Sequence, residues 1–373
     1  GRLFLFSIGG FTFVVFKTYK MNDMKGKQGM VCMGLLLVLS SCHTGKQITA
    51  SGLQRKDFQT EVNGQHTDLF TLSNKQGMEV CITNYGARVV SILVPDRNGK
   101  REDVVCGFST ITEYMEQRQN FGSTVGRYIG RILNARFTLD GVEYKLVPNN
   151  GKSGHISHGG NPGFADRIWK VEQADTHRVR LSYLSPDGEN GFPGNLKVTL
   201  VYSLGEDDNA LDLTYEATTD APTVLNLSHH SFFNISGNFT KSVEDQQLWV
   251  DADRFTPYDD KKCVTGEYLQ VAGTPLDFRM PHAIGECIDA DHPQLKVVNG
   301  YDHTWELNTK GDDTRPAAWV YDPASGRKME IFTTEPGMQI YTGNGLKGKM
   351  TGKRGIAYPF RSAVCFETMH FQD

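Results

Sequence analysis

The sequence lacks the signatures of several common protein classes. Helical periodicity is scarce, alternating β and α units are absent, and no GxGxxG or Walker loop occurs, which argues against a nucleotide-binding parallel sheet. The seven cysteines form no CxxC pair and no regular framework, so neither a zinc cluster nor a disulfide scaffold is indicated. The formal net charge is only −4, and without a basic stripe the chain is not expected to bind nucleic acid.

Long apolar runs are confined to the N-terminus. Residues 1–20 are apolar and lack a starting Met, and we interpret them as upstream sequence read through a misplaced start or, alternatively, as an additional hydrophobic anchor. From Met21 onwards, two lysines precede a short apolar segment at 30–39. That segment is too short to span a bilayer, which takes about 20 residues, and is typical of a signal peptide.

The apolar segment ends in Leu39-Ser40-Ser41-Cys42, which resembles the lipobox of bacterial lipoproteins. The resemblance implies cleavage before Cys42 and lipidation of its thiol, so acyl chains would hold the protein at the bacterial cell envelope, periplasmic or outer-membrane-associated. An ordinary secretory signal that happens to contain a cysteine is the alternative. We assign residues 1–42 to targeting, with the lipoprotein signal at 21–42, residues 43–56 to a polar tether, and residues 57–373 to the folded domain.

Apolar and polar residues alternate along most of the chain after residue 57, clearly so at 211–217, and this pattern predicts half-buried strands. Asp140-Gly141 joins two alternating segments and predicts a hairpin, because both turn positions need positive φ. A second hairpin is predicted for 318–333 and one short helix for 110–119. Many strands without a boundary linker predict an all-β fold, one large antiparallel sandwich.

Two strand-like segments carry candidate catalytic groups. Along 225–234 the period-two rule places His230 on a polar face with Asn226 and Ser228, the kind of floor that binds a sugar, and His229 on the packed face. Near the C-terminus, Glu367 shares its face with apolar neighbours, which is costly unless the carboxylate is paired or functional. Two structural histidines and a solvent-facing edge carboxylate are the alternatives.

Three loop segments hold further candidates. His155 and His158 are three residues apart in a glycine-rich loop, but no third ligand of matching spacing accompanies them, so no metal is predicted. Asp302 enters a strand, and Arg131 lies in a glycine-rich segment; a turn aspartate and a surface arginine are the plain alternatives. Four aromatic residues could stack on a sugar ring or pack in the core: Phe121, Trp169, Trp305 and Tyr341.

Taken in order, these segments resemble the aldose 1-epimerase (galactose mutarotase) family. The resemblance extends from about Asn84 to Asp373 and rests on NYGARVVSILVPDRNG, FGSTVGRYIGRI, ARFTLDGVEYKL, HISHGG, NLSHHSFFNISG, GTPLDFR, GYDHTWEL, TTEPGMQIYTGN and CFETMHF. It implies a large antiparallel β supersandwich that interconverts the α and β anomers of an aldohexose without a cofactor. It implies Glu367 as the catalytic base and His230 as the catalytic acid. It implies substrate-binding roles for Arg131, His158, Asp302 and Gln339.

The chain departs from the family pattern at several positions. Gly130 and His229 stand where the family usually has asparagine, and Met369 stands where it usually has glutamine. The family usually continues through closing strands after the position of Asp373, so we expect a C-terminally truncated domain. These departures keep open a non-catalytic carbohydrate-binding protein on the same scaffold. A glycoside hydrolase that uses Glu367 and Asp302 is a further alternative.

Overall fold

The computed structural model describes residues 11–21, 47–260 and 262–372, and these residues are almost entirely β. In the first half of the chain the strands are β1 (Phe11–Met21), β2 (Glu61–Val62), β3 (Gln65–His66), β4 (Leu69–Ser73), β5 (Glu79–Thr83), β6 (Arg88–Pro95), β7 (Arg101–Asp103), β8 (Ser123–Val125), β9 (Arg131–Ile132), β10 (Arg136–Leu139), β11 (Val142–Lys145), β12 (Ile156–Ser157), β13 (Lys170–Ala174) and β14 (Arg178–Ser185). In the second half they are β15 (Leu196–Leu204), β16 (Ala210–Thr219), β17 (Ser228–His230), β18 (Phe232–Phe233), β19 (Gln247–Val250), β20 (Arg254–Thr256), β21 (Leu269–Gln270), β22 (His282–Ala283), β23 (Asp302–Glu306), β24 (Ala318–Tyr321), β25 (Arg327–Thr333), β26 (Gly337–Tyr341) and β27 (Val364–Met369).

Helical structure is short. The α-helices of the described residues are α1 (Ile111–Gln117) and α2 (Pro293–Val298). Single 3-10 turns lie at Arg55–Phe58, Leu133–Ala135, Gly151–Ser153, Phe164–Asp166, Glu189–Gly191 and Lys353–Gly355. None of the helices in the described part of the chain has the length and apolar character to cross a membrane.

Three larger sheets form the body. Their strand orders are β13-β14-β15-β16-β1-β25-β24-β19-β22, β18-β27-β26-β23-β20-β21 and β4-β5-β6-β7. The pairings in these sheets are antiparallel, except that β1 runs parallel to both β16 and β25. Four two-stranded pairs complete the described strands. The predicted all-β, antiparallel sandwich is therefore confirmed.

One large apolar core joins the inner faces of the three sheets. Val89 and Ile92 of β6, Tyr215 of β16, and Trp305 and Ile340 of the six-stranded sheet belong to the same buried cluster. The alternation that predicted the strands is visible in β16, where every second residue from Leu211 to Ala217 is buried and the residues between are half-buried. Removing this apolar surface from water is the main force that brings the sheets together.

The predicted local elements form where expected. Residues 136–139 and 142–145 pair as β10 and β11, with φ of 51° at Asp140 and 79° at Gly141. Strands β24 and β25 make the second hairpin. Helix α1 begins with a capping box, in which Thr110 accepts a hydrogen bond from the backbone of Glu113 and the Glu113 carboxylate accepts one from the backbone of Thr110.

The described residues overlap the N-terminal assignments in two places. Residues 11–21, which we assign to targeting, pair as β1 with β16 and β25. Residues 47–56, which polar composition assigned to a tether, pack on the domain: Leu53 is buried, and the backbone amides of Ala50 and Ser51 each donate to the Glu79 carboxylate at 3.0 Å. The packed region therefore begins before the boundary predicted at residue 57, because the buried Glu79 carboxylate accepts hydrogen bonds from the preceding segment. Cys42 lies outside the described residues.

Candidate active site

The floor of the site is one face of the six-stranded sheet. Strand β26 lies between β23 and β27, and Gln339 is directly opposite both Thr304 and Glu367. Residues directly opposite each other point to the same face of a sheet, and so do residues two apart along a strand. The register therefore places Asp302 two residues from Thr304 on the face that carries Gln339 and Glu367.

His230 reaches this face from a different strand pair. Strand β17 pairs with β8; side chains hold its start to β27, and β18, which follows it, pairs with β27. The Ser228 hydroxyl donates to the carbonyl of Thr368 at 2.9 Å, and the Asn226 carboxamide exchanges hydrogen bonds of 2.9 and 3.0 Å with the backbone of His370. These contacts bring His230 Nε2 to 3.4 Å from Glu367 Oε1, with both side chains buried.

The face assignment of this segment is right in part. His230 and Phe232 line the cavity, with their rings stacked at 5.0 Å, while His229 faces inward and packs edge-on against Tyr202. The polar pattern predicts that Asn226 and Ser228 belong to a sugar-binding floor, but neither residue lines the cavity. The period-two rule identified their face correctly, but that face is covered by β27 over most of its length.

Burial shifts the pKa values of the two central groups in opposite directions. Burial, reinforced by His158, lowers the pKa of His230 well below its ordinary value. Burial, reinforced by the nearby charge of Asp302, raises the pKa of Glu367 well above its ordinary value. Both shifts favour a neutral imidazole beside a protonated carboxyl.

That neutral pair is a complete acid–base pair. A carboxylic acid with a neutral imidazole carries the same number of protons as a carboxylate with an imidazolium. The two forms differ by one proton transfer between His230 Nε2 and Glu367 Oε1. The pair can thus donate one proton and accept another, and it titrates as a unit.

His158 lies above the pair in the glycine-rich loop. Its backbone has a φ of 51°, its amide donates to the Gly130 carbonyl at 2.9 Å, and its ring meets that of His230 edge-on at 5.6 Å. Burial and then Arg131 lower the pKa of His158 to about 4, so its imidazole is neutral at physiological pH. Gly159 lets this loop pack closely against the chain's own backbone, since a Cβ there would lie 1.9 Å from the Gly126 carbonyl oxygen.

His155 does not join His158 in a metal site. Its Nδ1 accepts a hydrogen bond from the backbone of Asn134 at 2.9 Å, and its Nε2 lies 3.1 Å from Cys263 Sγ. Within the described residues, the potential metal ligands that come together are His230, Cys365 and Glu367, within 4.8 Å of one another. Burial raises the pKa of both the Cys365 thiol and the Glu367 carboxyl, which opposes the deprotonation that a metal requires.

The far side of the cavity is a polar network. Gln339 donates from Nε2 to Asp302 Oδ1 at 2.7 Å and to the Tyr258 hydroxyl at 3.2 Å, and accepts from Thr304 at 2.5 Å. Burial raises the pKa of Asp302. Arg131 completes this side and is held by a 2.8 Å hydrogen bond from Nη1 to the carbonyl of Lys262. This side of the cavity therefore presents neutral donors and acceptors together with one cation and one acid, as suits a polyhydroxyl compound.

The structure brings the predicted site residues together and adds others to the same cavity. All six predicted catalytic and substrate-binding residues line the one cavity: Arg131, His158, His230, Asp302, Gln339 and Glu367. Of the four candidate aromatics, Tyr341 lines the cavity, whereas Phe121, Trp169 and Trp305 are fully buried in the core. Gln119, Asn120, Ser157, Tyr258 and Gln372 also line it. No periodicity marks them, because most come from loops and Ser157 lies in a strand of only two residues.

Comparison with known proteins agrees with this geometry. The model of the aldose 1-epimerase family matches residues 68–373. The chain belongs to the aldose 1-epimerase family. Among its relatives, the galactose mutarotase of Bos taurus is 40% identical over 305 residues, which cover 82% of this chain and 85% of that protein. The aldose 1-epimerase of Escherichia coli is 36% identical over 293 residues, covering 79% and 83%.

Solved structures of the family share the fold. An aldose epimerase homologue from C. elegans superimposes with a TM-score of 0.75 at 30% identity, covering 82% of this chain and 90% of its own. A galactose 1-epimerase from Lactobacillus acidophilus superimposes with a TM-score of 0.72 at 28% identity, covering 84% and 89%. As a family member, the chain is an isomerase that interconverts the α and β anomers of aldoses. This favours catalysis over sugar binding alone and over glycoside hydrolysis.

Proposed function

We propose that the chain converts the anomers of hexoses such as glucose or galactose, with Glu367 as the general base and His230 as the general acid. The observation that carries this proposal is the 3.4 Å separation of His230 Nε2 and Glu367 Oε1 at the floor of a polar cavity. The galactose mutarotase name of a 40% identical relative supports a hexose as substrate.

The reaction needs two proton transfers at neighbouring oxygens of the sugar. When the sugar is bound, one proton first moves from the Glu367 carboxyl to Nε2 of His230. Glu367 then takes the proton of the anomeric hydroxyl while His230 gives one to the ring oxygen, and the bond between that oxygen and the anomeric carbon breaks. Rotation of the freed aldehyde presents its other face, and the same transfers in reverse close the ring as the other anomer. Protons balance, and each positioned group contributes about 10²–10⁴-fold.

The other polar groups orient the ring. Arg131, Asp302 and Gln339 lie on one side of the cavity, and His158 lies beside His230. Because His158 is neutral at physiological pH, it can donate or accept a hydrogen bond without adding a second cation beside the acid. Holding the anomeric carbon in one place relative to both catalytic groups is the main task of such contacts.

Glu367→Gln tests the proposal. The carboxamide keeps the size of the side chain but cannot accept a proton, so we expect loss of about 10²–10⁴-fold in rate with sugar binding largely retained. Polarimetry of freshly dissolved α-glucose and α-galactose measures the rate, and calorimetry measures binding. Glu143→Gln, in the exposed β10–β11 hairpin, is the matched control. Near-normal rates for Glu367→Gln would rule out its role as the base.

We further propose that the mature chain is lipid-anchored through Cys42 at the bacterial cell envelope. The Leu39-Ser40-Ser41-Cys42 sequence after a short apolar segment supports this. Cleavage before Cys42 would also remove β1, so the mature protein would lack that strand. Mass spectrometry of the N-terminal peptide should show diacylglycerol on Cys42, and Cys42→Ala should abolish it. A purified protein that retains residues 11–21 would contradict the proposal.

A further inference from the structure

We infer that Gln372 is a substrate-positioning residue, whose carboxamide binds one hydroxyl of the sugar beside Arg131 and Gln339. This inference deepens the proposed function and rests on it. Gln372 lines the same cavity as the proposed catalytic pair and is 8% exposed. It lies on the segment that follows β27, so it is brought to the pocket by the strand that carries Glu367.

The carboxamide is oriented but not saturated. Its Oε1 accepts a hydrogen bond from the backbone of Arg131 at 3.1 Å, while its Nε2 lies 3.3 Å from Gln339 Oε1 and 3.4 Å from the Tyr258 hydroxyl. The two contacts of Nε2 are longer than the usual 2.7–3.2 Å. Oε1 has a second lone pair with no partner among the described residues. A sugar hydroxyl, which both donates and accepts, can satisfy this lone pair or displace a long contact.

The neighbouring backbone is adapted to this side chain. Gly130 has a φ of 78°, and a Cβ added there would lie 2.4 Å from Gln372 Cδ. A side chain at position 130 and Gln372 in its present position therefore exclude each other. The glycine makes room for a carboxamide supplied from the other end of the chain.

The surroundings specify the kind of group that Gln372 would bind. The carboxamide continues a hydrogen-bonded series that runs through Gln339 to Asp302, an acceptor-rich arrangement beside a single guanidinium. A neutral hydroxyl suits it better than an anionic substituent, which Asp302 would repel. Gln372 makes no hydrogen bond to His230 or Glu367 within the described residues, so its effect should fall on binding and not on proton transfer.

The test combines Gln372→Leu, which keeps the volume of the side chain, with sugars that each lack one hydroxyl. For galactose and glucose we expect KM to rise about 3- to 10-fold, as for the loss of one hydrogen bond, with kcat changed less than about 2-fold. The 2-, 3-, 4- and 6-deoxy sugars are then compared. The loss should vanish for one deoxy sugar only, the one that lacks the hydroxyl bound by Gln372. Gln173→Leu, on exposed β13, is the control.

Three results would overturn the inference: unchanged KM, the same loss for every sugar, or a fall in kcat without a change in KM. The last two would identify Gln372 as a support for Tyr258 and Gln339 only. Calorimetric titration with galactose applies the same comparison to binding and does not depend on turnover. If wild-type protein binds galactose but does not accelerate mutarotation, the proposed function fails while the role of Gln372 is still decided.

Discussion

The attachment of β17 to β27 helps to set the distance between the two proposed catalytic groups, and Asn226→Leu would remove two of its hydrogen bonds. Asn226 is buried, and its carboxamide makes two hydrogen bonds to the backbone of His370, just after the end of β27. Leucine has nearly the same size and no polar atoms. Each hydrogen bond contributes about 1 kcal/mol net. We therefore expect the free energy of unfolding to fall by about 2 kcal/mol. We add no further cost for unsatisfied groups, because His370 is exposed and water can hydrate its freed backbone groups.

The effect on catalysis should exceed the effect on stability. Without the carboxamide, the start of β17 is held to β27 by the Ser228 hydroxyl, while β18 still pairs with β27 just beyond His230, so we expect His230 to shift relative to Glu367. A misplacement of about 1 Å can cost about 10²-fold in rate. Denaturant unfolding gives the free energy, and polarimetry gives the rate.

Asn195→Leu is the matched control, because exposed Asn195 also makes side-chain hydrogen bonds, to Asp187 and Asp220, but lies in the loop before β15 and does not line the cavity. It should leave the mutarotation rate unchanged. If Asn226→Leu were as active as the wild type, strand attachment would not be what positions His230, and the reasoning would be refuted.

Two further predictions concern protonation and the core. The profile of kcat/KM against pH should be bell-shaped, because turnover needs one proton on the His230–Glu367 pair. The pKa of His230 is lowered and that of Glu367 is raised, so the acid limb should lie below the ordinary pKa of histidine and the alkaline limb above the ordinary pKa of glutamate. A reversed or single-limbed profile would contradict this. Lys353→Met should lower the free energy of unfolding by about 3–5 kcal/mol, because Lys353 Nζ donates to Asp103 at 2.5 Å and both side chains are buried. Urea unfolding measures this free energy. A loss no larger than that caused by Lys75→Met, which removes an exposed ion pair, would contradict the prediction.

Much of the fold could be predicted because it depends on local patterns. The alternation at 211–217 and the Asp140-Gly141 turn are properties of neighbouring residues, and β16 and the β10–β11 hairpin form as these patterns predict. Which element packs against each face of a strand does not depend on neighbouring residues in the sequence. Asn226 and Ser228 have the alternation of a binding surface but attach β27, a strand from the far end of the chain.

Only those residues of the candidate site that lie in recognisable motifs could be predicted from the sequence. His230 and Glu367 were identified from the resemblance to a family, and the strand registers explain why they meet. Gln372 and Tyr258 carry no such mark, because their place in the cavity depends on contacts with Arg131 and Gln339 that no spacing along the chain shows. The partner of His155 was missed for the same reason, since Cys263 comes from a separate loop.

The most direct measurement is a crystal structure of the Glu367→Gln variant with bound galactose. The account predicts that the carboxamide at position 367 contacts the anomeric hydroxyl while His230 Nε2 lies within hydrogen-bonding distance of the ring oxygen of the same sugar. A sugar that touches only one of these two side chains, or that occupies another part of the protein, would contradict it.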